Sequence, residues 1–308
     1  MRRGISLLEV LISVFVILVG LLGVIALIPV GHRSTMKALE HDRAAALGRM
    51  AMHHVKVADL LDATQWRLAD GTDFDETQTG TQAFALDPLY AAHNVATTGA
   101  NWLPLATDPA VDPTIIPRMS VFSDTTTMVP MAERLCIGED DLVFTSAEPE
   151  SRPVASGHKG EFSWFLTVNP PLSANSMDYA NKPSLDVSVA ICKSRDMESD
   201  PLAVPVTINS DDEFSITLPA DGLLPNLRRG GWVLVCSDSV TTYAEYEVAH
   251  WYRIVAITDD TDPLVWHLSV AGPEWPYYVD STGTRQRLPA TAVLFEDVVG
   301  VYTETIAR

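Results

Sequence analysis

From Val10 to Val30 the chain carries no charged side chain. As a helix rising about 1.5 Å per residue, that run is roughly 30 Å long, the thickness of a bilayer's hydrocarbon core. Arg2 and Arg3 precede it, as expected for an end held at the cytoplasmic face. Glu9 sits just before the run, and a carboxylate near the start of a membrane helix is costly enough to mark a functional position. A secretory signal peptide places its small residues and cut site after the apolar core. Here a short basic leader ends in Gly4 before the core, so a cut after Gly4 leaves the helix attached to the rest of the chain.

Arg2-Arg3-Gly4 followed by Ile5-Ser6-Leu7-Leu8-Glu9-Val10-Leu11-Ile12 resembles the prepilin leader and cleavage/methylation segment of type IV pilins and type II secretion pseudopilins. By that resemblance a prepilin peptidase cuts between Gly4 and Ile5 and methylates the new amino terminus. Ile5 is then the N-methylated first residue and Glu9 the fifth. Gly20-Leu21-Leu22-Gly23, and Ile5 where an aromatic residue is usual, are closest to minor pilin-like members. The likeness covers only about the first thirty residues. It implies three partners: the prepilin peptidase, other pilin or pseudopilin subunits, and the bacterial inner membrane. It also implies a single-pass protein with a periplasmic or extracellular head and a cytoplasmic N-terminus before processing.

Electrostatics gives Glu9 a matching role. Cleavage creates an ammonium at Ile5, one helical turn from Glu9 at i, i+4 spacing. Within a subunit or between neighbours, pairing the two offsets the cost of holding each charge in an apolar setting. The resemblance implies that this carboxylate recruits or registers the subunit during assembly. The alternative is a plain signal anchor whose glutamate lies at the headgroup level.

The chain has 308 residues, 47% of them apolar, which leaves material for a globular core beyond the membrane segment. Its net charge of −19, from 21 basic and 40 acidic residues, becomes −21 if Arg2 and Arg3 leave with the leader. Non-specific nucleic-acid binding needs Lys and Arg at phosphates, so no nucleic-acid partner is expected. The same charge serves solubility. Of Cys136, Cys192 and Cys236, one pair can form a disulfide in an oxidising compartment, with Cys192 and Cys236 ending strand-like runs that adjacent strands could juxtapose. Three buried thiols acting as small hydrophobes are the other reading.

Five segments are expected: leader 1–4, transmembrane assembly helix 5–30, amphipathic continuation 31–69, irregular Pro-, Thr- and Asp-rich connection 70–130, and antiparallel β-rich head 131–308. Pro29 should kink the helix without ending it. Leu47, Met50, Ala51, Val55, Ala58 and Leu61 mark one face at three- and four-residue steps, with Arg49, His53, Lys56 and Asp59 elsewhere. Period-two runs occur at Phe162–Val168, Leu185–Ile191, Phe214–Leu218, Trp232–Val235, Tyr252–Val255 and Leu264–Val270, arguing an antiparallel sheet with one buried face. The last run, Thr291–Tyr302, is apolar on both phases and reads as a central strand. The expected class is α+β: a long N-terminal transmembrane helix packed on a C-terminal antiparallel sheet head, as the pilin resemblance implies.

Catalytic constellations are thin. His53 and His54 are adjacent and so face different directions on a helix, and no HExxH frame surrounds them. There is no Gly-x-Ser-x-Gly elbow, and Arg228-Arg229-Gly230-Gly231 reads as a turn into a strand. Asp211-Asp212-Glu213 and Asp259-Asp260-Thr261-Asp262 are oxygen-rich strand connections, the setting in which calcium can bind, but neither has EF-hand spacing and both read as solvated turns. The tryptophans read as core, with Trp275-Pro276-Tyr277-Tyr278 the best exposed candidate for surface or glycan binding. No catalytic residue, metal ligand or cofactor is therefore assigned. A noncatalytic structural subunit is expected; the alternative is an anchored envelope protein whose head binds a ligand or catalyses a reaction.

Overall fold

A computed structural model of the chain describes residues 7–58, 60–61, 67–68, 83–93, 102–103, 116–120, 135–137, 161–169, 184–195, 201–218, 227–237, 248–259, 262, 264–279, 283–295 and 297–307. Met1–Ala45 form one unit and Ala46–Arg308 a second. Helix α1 (Leu7–Val57) runs unbroken through Pro29. The proline lacks only its own N–H, so the helix loses one hydrogen bond and continues. The helix ends at Val57, short of the expected Ala69. Ala58 N–H closes onto the His54 carbonyl at 2.9 Å and Leu60 N–H onto that of Val55 at 3.1 Å. His54 and Lys56 in the last turn complement the negative end of the helix dipole. Leu47, Ala51, Val55 and Leu61 of the expected face are buried, Met50 is half-buried and Ala58 exposed; Met52, outside that face, is buried.

The remaining elements are β1 (Arg67–Leu68), β2 (Phe84–Leu86), α2 (Pro88–His93), β3 (Trp102–Leu103), β4 (Ile116–Ser120), β5 (Phe162–Asn169), β6 (Ser184–Lys193), β7 (Leu202–Ile208), β8 (Glu213–Thr217), β9 (Trp232–Ser237), β10 (Ala249–Asp259), β11 (Val265–Ala271), β12 (Tyr277–Val279), β13 (Arg285–Arg287), β14 (Ala290–Leu294) and β15 (Val298–Ala307). The segment expected to be irregular, 70–130, thus contributes β2, α2, β3 and β4. One sheet has the order β1-β4-β2-β5-β6-β15, with β3 added on β4. Its pairs are antiparallel except β2 with β4.

All eight residues of β5 are buried, where alternation implied a single buried face. The register explains why. Trp164, Leu166 and Val168 stand opposite Ile191, Val189 and Val187 of β6, which in turn stand opposite Gly300, Tyr302 and Glu304 of β15. The last turns of α1 reach this face at β15. Gly48 lies so close to Tyr302 that a Cβ there would sit 2.4 Å from the ring, and Lys56 Nζ meets Glu304 Oε1 at 2.5 Å. On the opposite face Phe165, Ala190 and Cys192 join Leu234, Trp251 and Val293 in one buried cluster.

Those last three residues belong to a second sheet that closes into a six-stranded barrel, β10-β11-β8-β7-β14-β9, where a single antiparallel sheet with one buried face was expected. Closure demands a staggered ladder. β10 supplies it: Ala249–Arg253 pair with β9 and Arg253–Asp259 with β11, with a register shift between Ile254 and Ala256. Phe214, Tyr252, Leu268 and Trp275 fill the interior, and Trp275 Nε1 donates to the Leu288 carbonyl at 2.9 Å. Trp275 is fully buried, so the expected exposed aromatic site is absent at that residue. The run Thr291–Tyr302, expected as one central strand, divides near Phe295 into β14 of the barrel and β15 at the margin of the other sheet.

The two sheets are joined by polar as well as apolar contacts. Asn169 Nδ2 donates to the Ala249 carbonyl at 2.6 Å, and its Oδ1 accepts the Ala249 N–H at 2.7 Å. Ala249 stands opposite Cys236 of β9, and the Asn169 side-chain amide takes up its N–H and C=O. Trp251 Nε1 donates to Thr167 Oγ1 at 3.0 Å. Trp251, Phe165 and Phe295 surround that bond with ring centroids 5.3–6.0 Å apart. Asn169→Ala strands both backbone groups of Ala249 in a dry interface. It should lower unfolding free energy by about 2–4 kcal/mol, read from urea unfolding of the full chain in detergent, whereas Thr303→Ala on β15 should cost less than about 1 kcal/mol.

Candidate functional site: an uncovered apolar helix and a buried charge cluster

The expected processing residues Gly4 and Ile5 lie outside the described residues. Glu9 lies in the first turn of α1. The helix beyond it is long and apolar enough to cross a membrane. Its apolar side chains are uncovered: Phe15, Leu22 and Leu27 are each about two-thirds exposed, and the exposed series continues to Val30. A contiguous apolar surface on this scale is characteristic of a membrane or assembly surface. His32 and Arg33 mark its polar end.

Within the second unit, charge is concentrated at Asp87, Arg118 and Arg195, all buried. Asp87 follows β2 and caps α2: its Oδ1 accepts the Tyr90 N–H at 3.3 Å, with Pro88 at the first helical position, where a missing N–H costs nothing. β6 ends at Lys193, and Ser194 adopts a left-handed conformation, φ 53°. The next residue, Arg195, forms a two-pronged pair with Asp87, Nη1 to Oδ1 at 2.8 Å and Nη2 to Oδ2. Arg118 of β4 brings Nε to 4.0 Å from Asp87 Oδ2 and stacks its guanidinium 3.6 Å from the Tyr90 ring centre. Arg195 also lies 4.7 Å from the Phe165 ring centre, so the ion pair abuts the layer between the sheets.

Burial alone would raise the Asp87 pKa. The charge and hydrogen bonds of Arg195, with Arg118 behind, outweigh burial and hold the carboxyl below its ordinary value. The Asp87 carboxyl, held ionised by Arg195, has no proton to give near neutrality. The geometry of the cluster suits a clamp tying β2, β4 and the end of β6. Nearby, burial pushes the Cys136 and Cys192 thiols up, so neither is a ready nucleophile. Cys136, Cys192 and Cys236 are buried thiols outside any disulfide; Cys192 and Cys236 share the inter-sheet cluster but belong to different sheets.

Other sequence candidates resolve into turns and surface. Asp211 pairs with Arg287 at 2.7 Å, Ser210 Oγ donates to Asp212 Oδ1 at 2.5 Å, and this loop is the β7–β8 hairpin. Asp262 Oδ1 accepts the Leu264 N–H at 3.0 Å in the β10–β11 connection. Arg228–Gly231 forms the expected turn, with Gly230 at φ 84°. His53 is exposed and His54 half-buried. Among the described residues no group of three His, Cys, Asp or Glu could hold a metal ion.

One arrangement escaped sequence reading. Ser215 Oγ lies 2.8 Å from His267 Nδ1, across the β8–β11 ladder. Asn209 Nδ2 also donates to Ser215 Oγ at 2.7 Å, so the hydroxyl lies between an amide and an imidazole. The Asp87 cluster was equally invisible, because its members are 31 and 77 residues apart; Asp87-Pro88, a helix-start dipeptide, was the one local signal. No protein-family model, curated protein or solved structure matches this chain.

These electrostatics can be measured in two ways. Asp87→Asn leaves Arg195 buried without its counter-charge and should destabilise the fold by about 3–5 kcal/mol. His250 packs edge-on against Trp275 at 6.3 Å between ring centroids, and burial, opposed by Asp186, lowers its pKa to about 4. A depressed folded pKa gives stability that is complete above the unfolded value, about 6.5, and is lost as pH falls towards 4. Urea midpoints should therefore drop across that window, by up to about 3 kcal/mol in unfolding free energy. His250→Gln should flatten the drop.

Proposed function

We propose that this chain is a noncatalytic structural subunit of the minor pilin or pseudopilin kind. It is cut after Gly4, N-methylated on Ile5, and assembled through its apolar helix into a type IV pilus or type II secretion pseudopilus. The observation that carries the reading is the joint placement of Gly4, Ile5 and Glu9 at the start of an apolar helix whose described side chains are exposed from Leu7 to Val30. The long amino-terminal helix, with its last turns against an antiparallel sheet, supports it further. In this reading the prepilin peptidase, the inner membrane and other subunits are the partners. The Ile5 ammonium and Glu9 carboxylate neutralise one another where water is scarce.

The experiment is expression of the full chain with and without a prepilin peptidase, followed by mass spectrometry of the amino terminus. Loss of Met1–Gly4 and one added methyl on Ile5 are expected. Gly4→Val should abolish the cut, whereas Glu9→Val should still be cut but fail to co-assemble with wild-type subunits. An intact amino terminus, alongside a control prepilin that is processed, would return the chain to a plain membrane anchor.

A further inference from the structure

We propose that a groove between the last turns of α1 and the far edge of β15 binds an extended acidic segment of a partner protein, which adds to the sheet as its next strand. β15 is a ten-residue strand paired to β6 along its length and, among the described residues, to nothing on its other side. An antiparallel ladder uses the backbone groups of alternate residues, so the others in β15 direct N–H and C=O away from β6. An edge of this length is a template for another strand unless something covers it. Thr303, Glu304 and Thr305 on it are exposed.

The groove is lined by Gly48, Arg49, Met52 and His53 with Lys56 on the helix side and by Tyr302–Glu304 on the strand side. Its strand wall is β15 alone, the last strand in the order of this sheet. At about 270 Å³ it suits the side chains of a single strand rather than a folded ligand. A strand edge flanked by a helix gives main-chain affinity from the edge and side-chain selection from the groove.

Charge selects the occupant. Residues 46–57, which supply the groove's helical side, carry Arg49 and Lys56 and no acidic side chain, a net +2. Residues 58–308 carry 14 basic and 37 acidic side chains, a net −23. Carboxylates are therefore repelled by most of the chain and find cations along the groove's helical wall. Glu304 already pairs with Lys56, so Arg49 provides the net charge and His53 a further polar group. The proposal does not depend on processing of the amino terminus, so the two readings can fail separately.

The test uses the full chain in nanodiscs of neutral lipid and a fluorescent ten-residue peptide of alternating Glu and Val, read by anisotropy. Binding is expected, with none for the Lys-Val counterpart, and it should weaken as salt rises. Arg49→Glu should weaken it at least about tenfold while leaving the urea midpoint in place. Methylating the peptide's backbone nitrogens on alternate residues should abolish binding in one phase and spare it in the other, because only one set of N–H groups faces β15. Equal binding by both methylated peptides, or by wild type and Arg49→Glu, overturns the proposal. So does concentration-dependent dimerisation abolished by Arg49→Glu without peptide binding, which would give the edge to a second copy of the chain.

Discussion

Both faces of β5 are closed to water, and the elements around it are arranged to meet that condition. A strand with eight buried residues cannot present a polar face, so it needs a cover on each side. On one side, at β15, Gly48 and Lys56 bring the end of α1 in; on the other, Trp251 and Phe295 bring in the barrel. The barrel contact is made specific by hydrogen bonds. Burying the Asn169 amide and the Trp251 indole without partners would cost more than their apolar contacts return, so only the register that pairs them with Ala249 and Thr167 is stable.

The Asp87 clamp obeys similar logic with charges. Arg195 reaches it because Ser194 takes a left-handed backbone that L residues adopt at a cost of about 1–2 kcal/mol. A buried ion pair is weak evidence for net stability, since well-packed apolar residues can serve as well. Once built, however, it tolerates no loss of one member, and it fixes which strand ends meet. That makes it a device of register in the sheet's interior.

Much of the architecture was legible from local pattern. The unbroken apolar run gave the amino-terminal helix, and most of the period-two runs fall on observed strands, because residue alternation and strand pleat share one period. The helical continuation was overextended by about twelve residues, since a favourable composition between Ala58 and Ala69 does not reveal where the chain must leave the helix to pair as β1. Trp275 looked available because its neighbours are turn-like, yet the barrel interior required a large ring with a satisfied N–H. The segment from Thr291 to Tyr302 read as one strand because hydrophobicity carries no information about which sheet a residue joins.

By itself the sequence determined the apolar helix, the α+β class, and the placement of Gly4, Ile5 and Glu9 at the start of that helix. These are properties of neighbours along the chain, and they act through solvent transfer and local spacing. Tertiary structure alone decided that the second sheet closes, that β15 becomes an edge beside a basic helical wall, and that Asp87, Arg118 and Arg195 meet. Those outcomes depend on strand stagger and on contacts between residues far apart in sequence. Their free energies exist only once the chain has folded back on itself.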